Sequence, residues 1–279
     1  TGDLISFISY ITQILISLMM ISFVFVMLTM TKASMDRIFE VLDTNIDVEE
    51  PEFPITVDKV YGEVEFDHVH FSYGKQQDEE VLSDINFKIK PGEVFGIIGP
   101  TGSGKSSLVQ LIPRLYDTTA GTVRVGGHDV REYRFADLRQ NVSMVLQKNT
   151  LFSGTIRENL LWGNPDATEE EMIQAAKHAQ AHDFIMEMPD GYDTRVEQGG
   201  SNFSGGQKQR LTIARAMLRK PAVLILDDST SAVDTATDSK IREAFFNHLP
   251  DTTVIIIAQR ISSIQGADNI LVLDDGKVN

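Results

Sequence analysis

The chain begins with a long apolar run that no charged residue interrupts. From Leu4 to Thr31 there is no Asp, Glu, Lys or Arg. A helix that crosses a bilayer needs about 20 mostly apolar residues at 1.5 Å rise each, so this run predicts a membrane-spanning helix. Lys32 and Arg37 follow at once, which predicts that this end faces the cytoplasm. A buried soluble helix is the alternative, but so long an uncharged run is unusual in a soluble core.

The apolar pattern continues beyond the charged residues at helical spacing, through position 42, so we expect the helix to extend into the cytoplasm. Acidic residues and prolines then predict a linker at 43–54. We therefore predict a last transmembrane helix with its extension at 1–42, this linker, and a globular domain at 55–279. Because one helix cannot enclose a pathway, we interpret the first segment as part of a truncated membrane domain. We interpret the far end, directly after an apolar strand, as a second cut edge.

The globular part alternates between strand and helix patterns. A helical region is expected from about 155 to 219, where Thr168 and Glu171 form a capping-box pattern before a helix at Met172–Ala181. Alternating residues predict strands at Val64–Phe71 and Asn86–Ile89, and Pro91-Gly92 predicts a turn. Val94–Ile98 is predicted to be a short buried strand and Val142–Leu146 a further strand. Ala222–Leu226 and Thr253–Ala258 are continuous apolar runs, typical of parallel strands buried on both faces. The pattern predicts an α/β fold.

Composition and charge exclude several classes of protein. The chain has 279 residues, 25 Lys+Arg, 40 Asp+Glu and no cysteine, which gives a formal net charge of -15. Without cysteine there can be no disulfide, thiolate metal site or thiol nucleophile. The acidic balance argues against a general nucleic-acid binder, which needs a basic face.

A phosphate-binding loop follows the strand Val94–Ile98. Residues 99–106 read Gly-Pro-Thr-Gly-Ser-Gly-Lys-Ser and match G-x-x-x-x-G-K-[ST] in full, between a strand and a predicted helix at Ser107–Leu115. Glycines let backbone N–H groups curl around phosphate oxygens. We expect Lys105 to reach the β- and γ-phosphates and the Ser106 hydroxyl to ligate Mg²⁺. A plain glycine-rich turn is the weaker alternative.

Two carboxylates end the strand at Ala222–Leu226. Asp227 and Asp228 match the acidic strand that binds the metal in phosphate-loop proteins, and Asp227 is predicted to hold Mg²⁺ directly or through water. The similar pair Asp274-Asp275 precedes a glycine, which predicts a turn.

A third motif, Phe203 to Gln207, lies shortly before the acidic strand. Ser204 and Gln207 form a capping-box pattern that would open a helix at Lys208–Arg219. Gly205 and Gly206 leave backbone N–H groups bare, which can give an anion site. Taken alone, this motif could also be an ordinary helix cap.

Together the phosphate loop, the acidic strand and the Phe203–Gln207 motif resemble those of ATP-binding cassette (ABC) proteins, over essentially the whole chain. The membrane helix ahead of the domain, with Arg37-Ile38-Phe39-Glu40 at the junction, is similar to the exporter branch. The resemblance implies a phosphate-loop nucleoside-triphosphatase fold with an antiparallel β subdomain and a helical subdomain. It implies that ATP and Mg²⁺ are the cofactors.

The resemblance also implies roles for single residues. Tyr73 matches the aromatic residue that stacks on adenine, Gln147 the glutamine that contacts Mg²⁺ and couples to the membrane domain, and Asp234 the end of the D-loop at 231–234. Read without the resemblance, Tyr73 could be core, Gln147 surface and Asp234 a helix cap. The implied nucleotide-binding set is Tyr73, Gly99, Thr101, Gly102, Ser103, Gly104, Lys105, Ser106, Ser107, Ser204, Gly205, Gly206, Gln207 and Asp234, with Ser106, Gln147 and Asp227 at the metal.

Three residues depart from the family pattern. Asp228 stands where the family has a catalytic Glu, and Gln259 stands where it has a His that contacts the γ-phosphate. The shorter Asp side chain is badly placed to orient a water, and Gln cannot carry an imidazolium charge. Gln198 also replaces a Glu in the loop before Ser204. With Gln147, Asp228 and Gln259 are the candidate catalytic residues, and we expect slow hydrolysis at this site.

The family builds two ATP sites between two cassettes, each joining one phosphate loop to the other cassette's signature. The resemblance therefore implies half of a heterodimeric exporter in a bacterial plasma membrane, with membrane lipid around it and a partner that carries Glu and His. Its cargo would be drug-like or lipid-like, and no nucleic acid is expected. A fully active homodimer and an ATP-gated regulatory or structural protein remain the alternatives.

Overall fold

The computed structural model describes residues 2–44, 46–74, 80–227, 234–259 and 261–279. It divides into two compact units, Thr1–Asp47 and Val48–Asn279. The division falls within the predicted linker at 43–54, and the domain boundaries themselves stay a prediction.

The first unit is one helix, α1 (Gly2–Leu42). Among the described residues it is the one helix long and apolar enough to cross a membrane. Its hydroxyls donate to carbonyls four residues earlier, for example Thr12 to Ile8 at 2.9 Å and Thr29 to Phe25 at 2.8 Å, which satisfies them without water. At 1.5 Å per residue it is about 60 Å long, twice the hydrocarbon thickness of about 30 Å. The predicted continuation through Leu42 is confirmed.

The second unit contains the globular domain. Its described strands are β1 (Val64–Phe71), β2 (Leu82–Ile89), β3 (Val94–Ile98), β4 (Ala120–Val125), β5 (His128–Asp129), β6 (Val142–Val145), β7 (Gly154–Thr155), β8 (Arg195–Val196), β9 (Val223–Asp227), β10 (Thr253–Ala258), β11 (Asn269–Asp274) and β12 (Lys277–Val278). Its described α-helices are α2 (Lys105–Gln110), α3 (Phe135–Asn141), α4 (Ile156–Leu161), α5 (Glu169–His178), α6 (His182–Met186), α7 (Gly205–Leu218) and α8 (Thr235–His248).

The strands form two large sheets. One is antiparallel in the order β2-β1-β4-β5, and the other has the order β12-β11-β3-β10-β9-β6. In the second sheet the strands from β11 to β6 are parallel, and β12 returns from β11 through the turn at Asp275-Gly276. The predicted α/β fold, with its antiparallel β subdomain and its helical subdomain of α4 to α7, is confirmed, and so is the turn after Asp274.

The parallel strands β3, β10, β9 and β6 are buried on both faces, whereas β11 and β12 are partly exposed. Along β9, Leu224 and Leu226 enter one hydrophobic cluster with the helical region, while Val223 and Ile225 enter another with the antiparallel sheet. This arrangement explains why the strands read as unbroken apolar runs. The predicted bounds of β1, β3 and β10 are confirmed, while β9 and β6 differ from the prediction by one residue.

Three helices are displaced from their predicted bounds. The helix predicted at Ser107–Leu115 begins at Lys105, directly after its N-cap Gly104, and ends at Gln110. The early end is explained by Pro113, which lacks a backbone N–H and disfavours helical conformation in the residue before it. The helices predicted at Met172–Ala181 and Lys208–Arg219 are α5 and α7, and each begins about three residues earlier, directly after its capping residue. Both predicted capping boxes are confirmed.

Strand β2 is longer than predicted. The prediction began at Asn86, whereas the strand begins at Leu82, which pairs with Phe71 of β1. Because Ser83 and Asp84 are polar, the sequence pattern did not predict this half of the strand. Asp84 has a φ of 51° at an irregularity of the ladder, so the alternation of apolar residues is broken there.

The hydroxyl of Thr253, at the start of β10, joins the six-stranded sheet to the segment before β1. Its side chain is fully buried, donates to the Gly62 carbonyl at 2.6 Å and accepts from the Gly92 N–H at 3.0 Å. We expect Thr253→Val to lower the free energy of unfolding by about 2 kcal/mol or more, because both partners are left unpaired. Denaturant unfolding of the chain in mild detergent, followed by circular dichroism, measures this loss.

Thr194→Val is the matched control. The Thr194 hydroxyl is buried and has no hydrogen-bond partner among the described residues, so the same change leaves no partner unpaired and should not lower the free energy of unfolding. Equal effects of the two substitutions would show that the Thr253 hydrogen bonds contribute little.

Candidate functional site

Four predicted site positions meet at one edge of the six-stranded sheet, where the parallel strands have their carboxyl ends. The registers Ile98 with Ala258, Asp227 with Ile257 and Val145 with Leu226 place the ends of β3, β10, β9 and β6 side by side. The phosphate loop follows β3, Gln259 follows β10, Asp227 ends β9 and Gln147 follows β6. We call this the carboxyl edge; ligands of open α/β sheets bind at such edges.

The phosphate loop requires glycine at particular positions. Gly104 has a φ of 93° and is the N-cap of α2, and Gly102 has a φ of 86°, a conformation that glycine adopts without strain. Gly99 has no room for a side chain, because a Cβ there would lie 2.0 Å from the Leu273 carbonyl oxygen. The motif glycines therefore determine the curved conformation of the loop and allow it to pack closely against β11.

The ammonium group of Lys105 lies inside this loop. Its Nζ donates to the carbonyls of Gly99 at 2.8 Å and Pro100 at 2.6 Å, and it is 3.4 Å from the Ser103 hydroxyl. The side chain is only 9% exposed, whereas Ser106, the next residue of α2, is exposed. A cation is thus held by neutral oxygens of the loop, beside an accessible hydroxyl.

Tyr73 is a surface residue, so the alternative that it belongs to the core is wrong. Its ring is 57% exposed, and its hydroxyl lies 2.8 Å from the Ser107 hydroxyl of α2. Edge-to-face contacts with Phe71 at 4.8 Å and Tyr116 at 5.1 Å fix the ring plane. The ring is thereby held next to the phosphate loop with aromatic surface open to a ligand. Sequence reasoning missed the supporting Tyr116, because a single aromatic residue after a helix carries no pattern.

The acidic strand places one carboxylate at the carboxyl edge. Asp227 is 7% exposed, whereas Gln147 and Gln259 are exposed. Asp228, the predicted catalytic carboxylate, lies outside the described residues, as do residues 231–233 of the predicted D-loop.

The donor chemistry at this edge fits Mg²⁺. No group of three His, Cys, Asp or Glu side chains in the described ranges could hold a metal alone. Mg²⁺ needs no such cage, because proteins usually bind it through one or two carboxylates together with substrate phosphates and water. Asp227 offers a carboxylate and Ser106 a hydroxyl, which are oxygen ligands of the required kind.

The Phe203–Gln207 motif opens α7 and does not lie at a strand end. The Ser204 N–H donates to the Gln207 side-chain oxygen at 2.9 Å, and the Gln207 N–H donates to the Ser204 hydroxyl at 3.3 Å. Gly205 and Gly206 form the first turn of this helix. Within one chain the motif is therefore a capped helix start in the helical subdomain.

Asp234 caps α8, as its alternative interpretation predicted. Its carboxylate accepts from the Thr237 N–H at 3.0 Å. The hydrogen bonds from the Thr237 backbone and hydroxyl lower the pKa of Asp234. A role toward nucleotide stays a prediction for this residue.

One surface near the Gln147 segment was not predicted. Phe152 and Trp162 stack at 4.3 Å and are 43% and 62% exposed. They line a pocket of about 200 Å³ with Ser143 and Arg215. The Ser143 hydroxyl and the Arg215 Nη1 are buried without a hydrogen-bond partner in the described part of the chain. The chain's single tryptophan was the available signal, but a lone apolar residue is usually read as core.

Comparison with known proteins places these features in a family. A model of the ABC transporter family matches residues 82–231. Over 277 residues, 99% of this chain, the sequence is 43% identical to the uncharacterised ABC transporter ATP-binding protein YknU of Bacillus subtilis, covering 47% of that protein. It is 44% identical to the putative multidrug export ATP-binding/permease protein YgaD of Bacillus subtilis, over 99% of this chain and 48% of that one.

A solved structure agrees with the sequence comparisons. The structure of a bacterial Atm1-family ABC exporter with ATP bound matches with a TM-score of 0.81 and 37% identity, over 88% of this chain and 42% of that chain. The present chain spans about half the length of the curated relatives it matches.

The capping box at α7 yields a prediction that separates its structural role from any role toward ligand. Ser204→Ala removes the acceptor for the Gln207 N–H, so we expect the first turn of α7 to lose about 1 kcal/mol of local stability. Amide hydrogen exchange at Gln207 should then be roughly fivefold faster. Ser204→Thr keeps the hydroxyl and should exchange like the parent chain. Unchanged exchange in Ser204→Ala would contradict the capping role.

Proposed function

Because this chain belongs to the ABC transporter family, we propose that it binds ATP with Mg²⁺ and forms part of an ATP-driven exporter. The observation that carries the proposal is the convergence at the carboxyl edge. The Lys105 ammonium lies in a glycine loop on one strand end, while the Asp227 carboxylate ends a strand two places away in the same sheet. A triphosphate with its metal needs a cation and a carboxylate in this arrangement.

Each residue at this edge has a defined task in the proposal. Lys105 exchanges its carbonyl partners for β- and γ-phosphate oxygens, which are stronger acceptors because they are charged. Tyr73 stacks on adenine. Ser106, Asp227 and Gln147 hold Mg²⁺, which neutralises charge on the phosphates when it is bound. Backbone N–H groups of Gly99 and of Thr101 through Ser107, including Gly102, Ser103 and Gly104, would surround the phosphates; Pro100 has no N–H to donate.

The same edge is poorly equipped for hydrolysis. Asp228 is one methylene shorter than the family's Glu, and Gln259 supplies a neutral amide in place of an imidazole. Phosphoryl transfer depends on positioning and electrostatics, so both changes act on the chemical step and leave ATP binding intact. We propose that ATP at this phosphate loop turns over slowly.

The Phe203–Gln207 motif, which resembles the family's signature motif, is proposed to serve the ATP site of a partner. The capping box of Ser204 and Gln207 is complete, and Gly205 and Gly206 lie in the first turn, where backbone N–H groups have no intrahelical partners. A chain that carries an intact signature motif together with a phosphate loop of slow ATP hydrolysis fits one half of a heterodimer. The partner would carry Glu and His. A fully active homodimer, or a regulatory protein gated by ATP, would lack this division.

The membrane location and the cargo extend the proposal. Helix α1 has the length and composition of a membrane span, and the domain at 55–279 lies in the cytoplasm. YgaD is described as a putative multidrug export protein, which supports a drug-like or lipid-like cargo for the full-length transporter.

Lys105→Ala tests ATP binding. Removing the ammonium deletes charge-assisted hydrogen bonds of about 1.5–3 kcal/mol, so we expect binding of a fluorescent ATP analogue to weaken by about ten- to a hundredfold. Lys240→Ala removes an exposed positive charge on α8 and should leave the affinity unchanged. Equal binding by Lys105→Ala and the parent chain would exclude the loop as the ATP site.

In the full-length complex, Lys105→Ala also tests the division of labour. We expect it to lower the steady-state ATPase rate less than the matching lysine substitution in the partner, because most turnover occurs at the partner's phosphate loop. Equal losses would support the active homodimer-like arrangement instead.

A further inference from the structure

A cleft of about 730 Å³ opens at the edge opposite the proposed ATP site. It is lined by residues at the amino ends of parallel strands, among them Asn141 directly before β6, Ala222 directly before β9, Thr252 directly before β10 and Gly92 two residues before β3. A five-residue strand is about 16 Å long. The cleft is therefore separate from the carboxyl edge, and its occupant is not the ATP held by Lys105.

The cleft has the size and lining of a small-molecule site. Helix α5 forms one wall, and the end of α7 with the segment before β1 forms others. Val60, Met217 and Leu218 are almost fully buried and contribute apolar surface. Tyr61 is 59% exposed and adds an aromatic ring. Pockets for drug-sized ligands have volumes of about 300–1,000 Å³ and mostly apolar walls with a few polar groups.

The charged groups of the cleft favour a positive ligand. Glu171 is paired with Lys220 at 2.6 Å, and Lys59 lies over the Tyr61 ring at 5.3 Å. Glu170 and Asp251 are exposed and make no ion pair with any residue that the structure describes. The whole lining holds three carboxylates, two ammonium groups and the His178 ring. With histidine counted as neutral the carboxylates exceed the cations by one, which favours a cation over an anion of the same shape.

We propose that this cleft binds an amphipathic organic cation, with its apolar body against Val60, Met217 and Leu218 and its charge near Glu170 and Asp251. The site is distinct from the ATP site and adds a second ligand to the domain.

Photolabelling with a diazirine derivative of tetraphenylphosphonium tests the proposal. The chain is labelled in lipid nanodiscs with and without saturating ATP, and the labelled peptides are mapped by mass spectrometry. The mapping distinguishes labelling of cleft peptides from nonspecific labelling of α1. We expect saturable labelling of peptides from 59–62, α5 and 249–252. Excess unlabelled tetraphenylphosphonium should abolish it, whereas ATP and the isosteric anion tetraphenylborate should not.

Two sets of variants locate the ligand. Gln174→Trp, on the α5 wall, should fill the cleft and reduce labelling about tenfold, while Lys177→Trp, on the same helix but outside the cleft, should leave it unchanged. Glu170→Gln with Asp251→Asn should weaken cation binding about fivefold without altering the fold, since both residues are exposed. Labelling confined to α1, equal competition by tetraphenylborate, displacement by ATP, or insensitivity to the charge variants would each overturn the proposal.

Discussion

The parallel pairing of β3, β10, β9 and β6 is the constraint on which the rest of the molecule depends. These strands are hydrogen-bonded in register and buried on both faces, so their carboxyl ends cannot shift relative to one another without exposing core. Because the lysine loop and Asp227 are attached to those ends, their spacing is set by the sheet. The proposed ATP site lies at the carboxyl ends of these strands and the cleft lies at their amino ends, so the length of the strands separates the two sites.

The features that depend on local sequence could be predicted. Strands β3 and β10 consist almost entirely of apolar residues because both of their faces are buried, and their bounds follow from those runs. The loop from Gly99 to Ser106 was identifiable because left-handed backbone at Gly102 and Gly104 demands glycine at fixed spacing. The capping boxes of α5 and α7 were predictable for a similar reason, since a hydroxyl and a carboxylate or amide oxygen three residues apart each accept a hydrogen bond from the other residue's backbone N–H.

The features that depend on distant contacts could not be predicted. The first half of β2 forms because Leu82 pairs with Phe71 of β1. The polar residues next to Leu82 break the apolar alternation, so the sequence pattern did not predict this pairing. Tyr116 supports Tyr73 only after the fold brings them together. The exposed pair of Phe152 and Trp162 resembles core in the sequence, and the cleft at the amino ends is assembled from six separated segments. Sequence reasoning had no signal for a surface or cavity made in this way.

Asp228 and Gln259 are proposed to make ATP turnover slow at this chain's own phosphate loop. The most direct measurement is the ATPase rate of the full-length complex whose partner site has been silenced at its catalytic Glu, so that the remaining turnover comes from this chain. With Asp228→Glu and Gln259→His together, we expect this rate to rise at least about tenfold, and Asp228→Asn serves as the control whose rate should not rise. An unchanged rate in the double variant, or a parent site that already matches the partner's rate, would show that these two residues do not limit turnover.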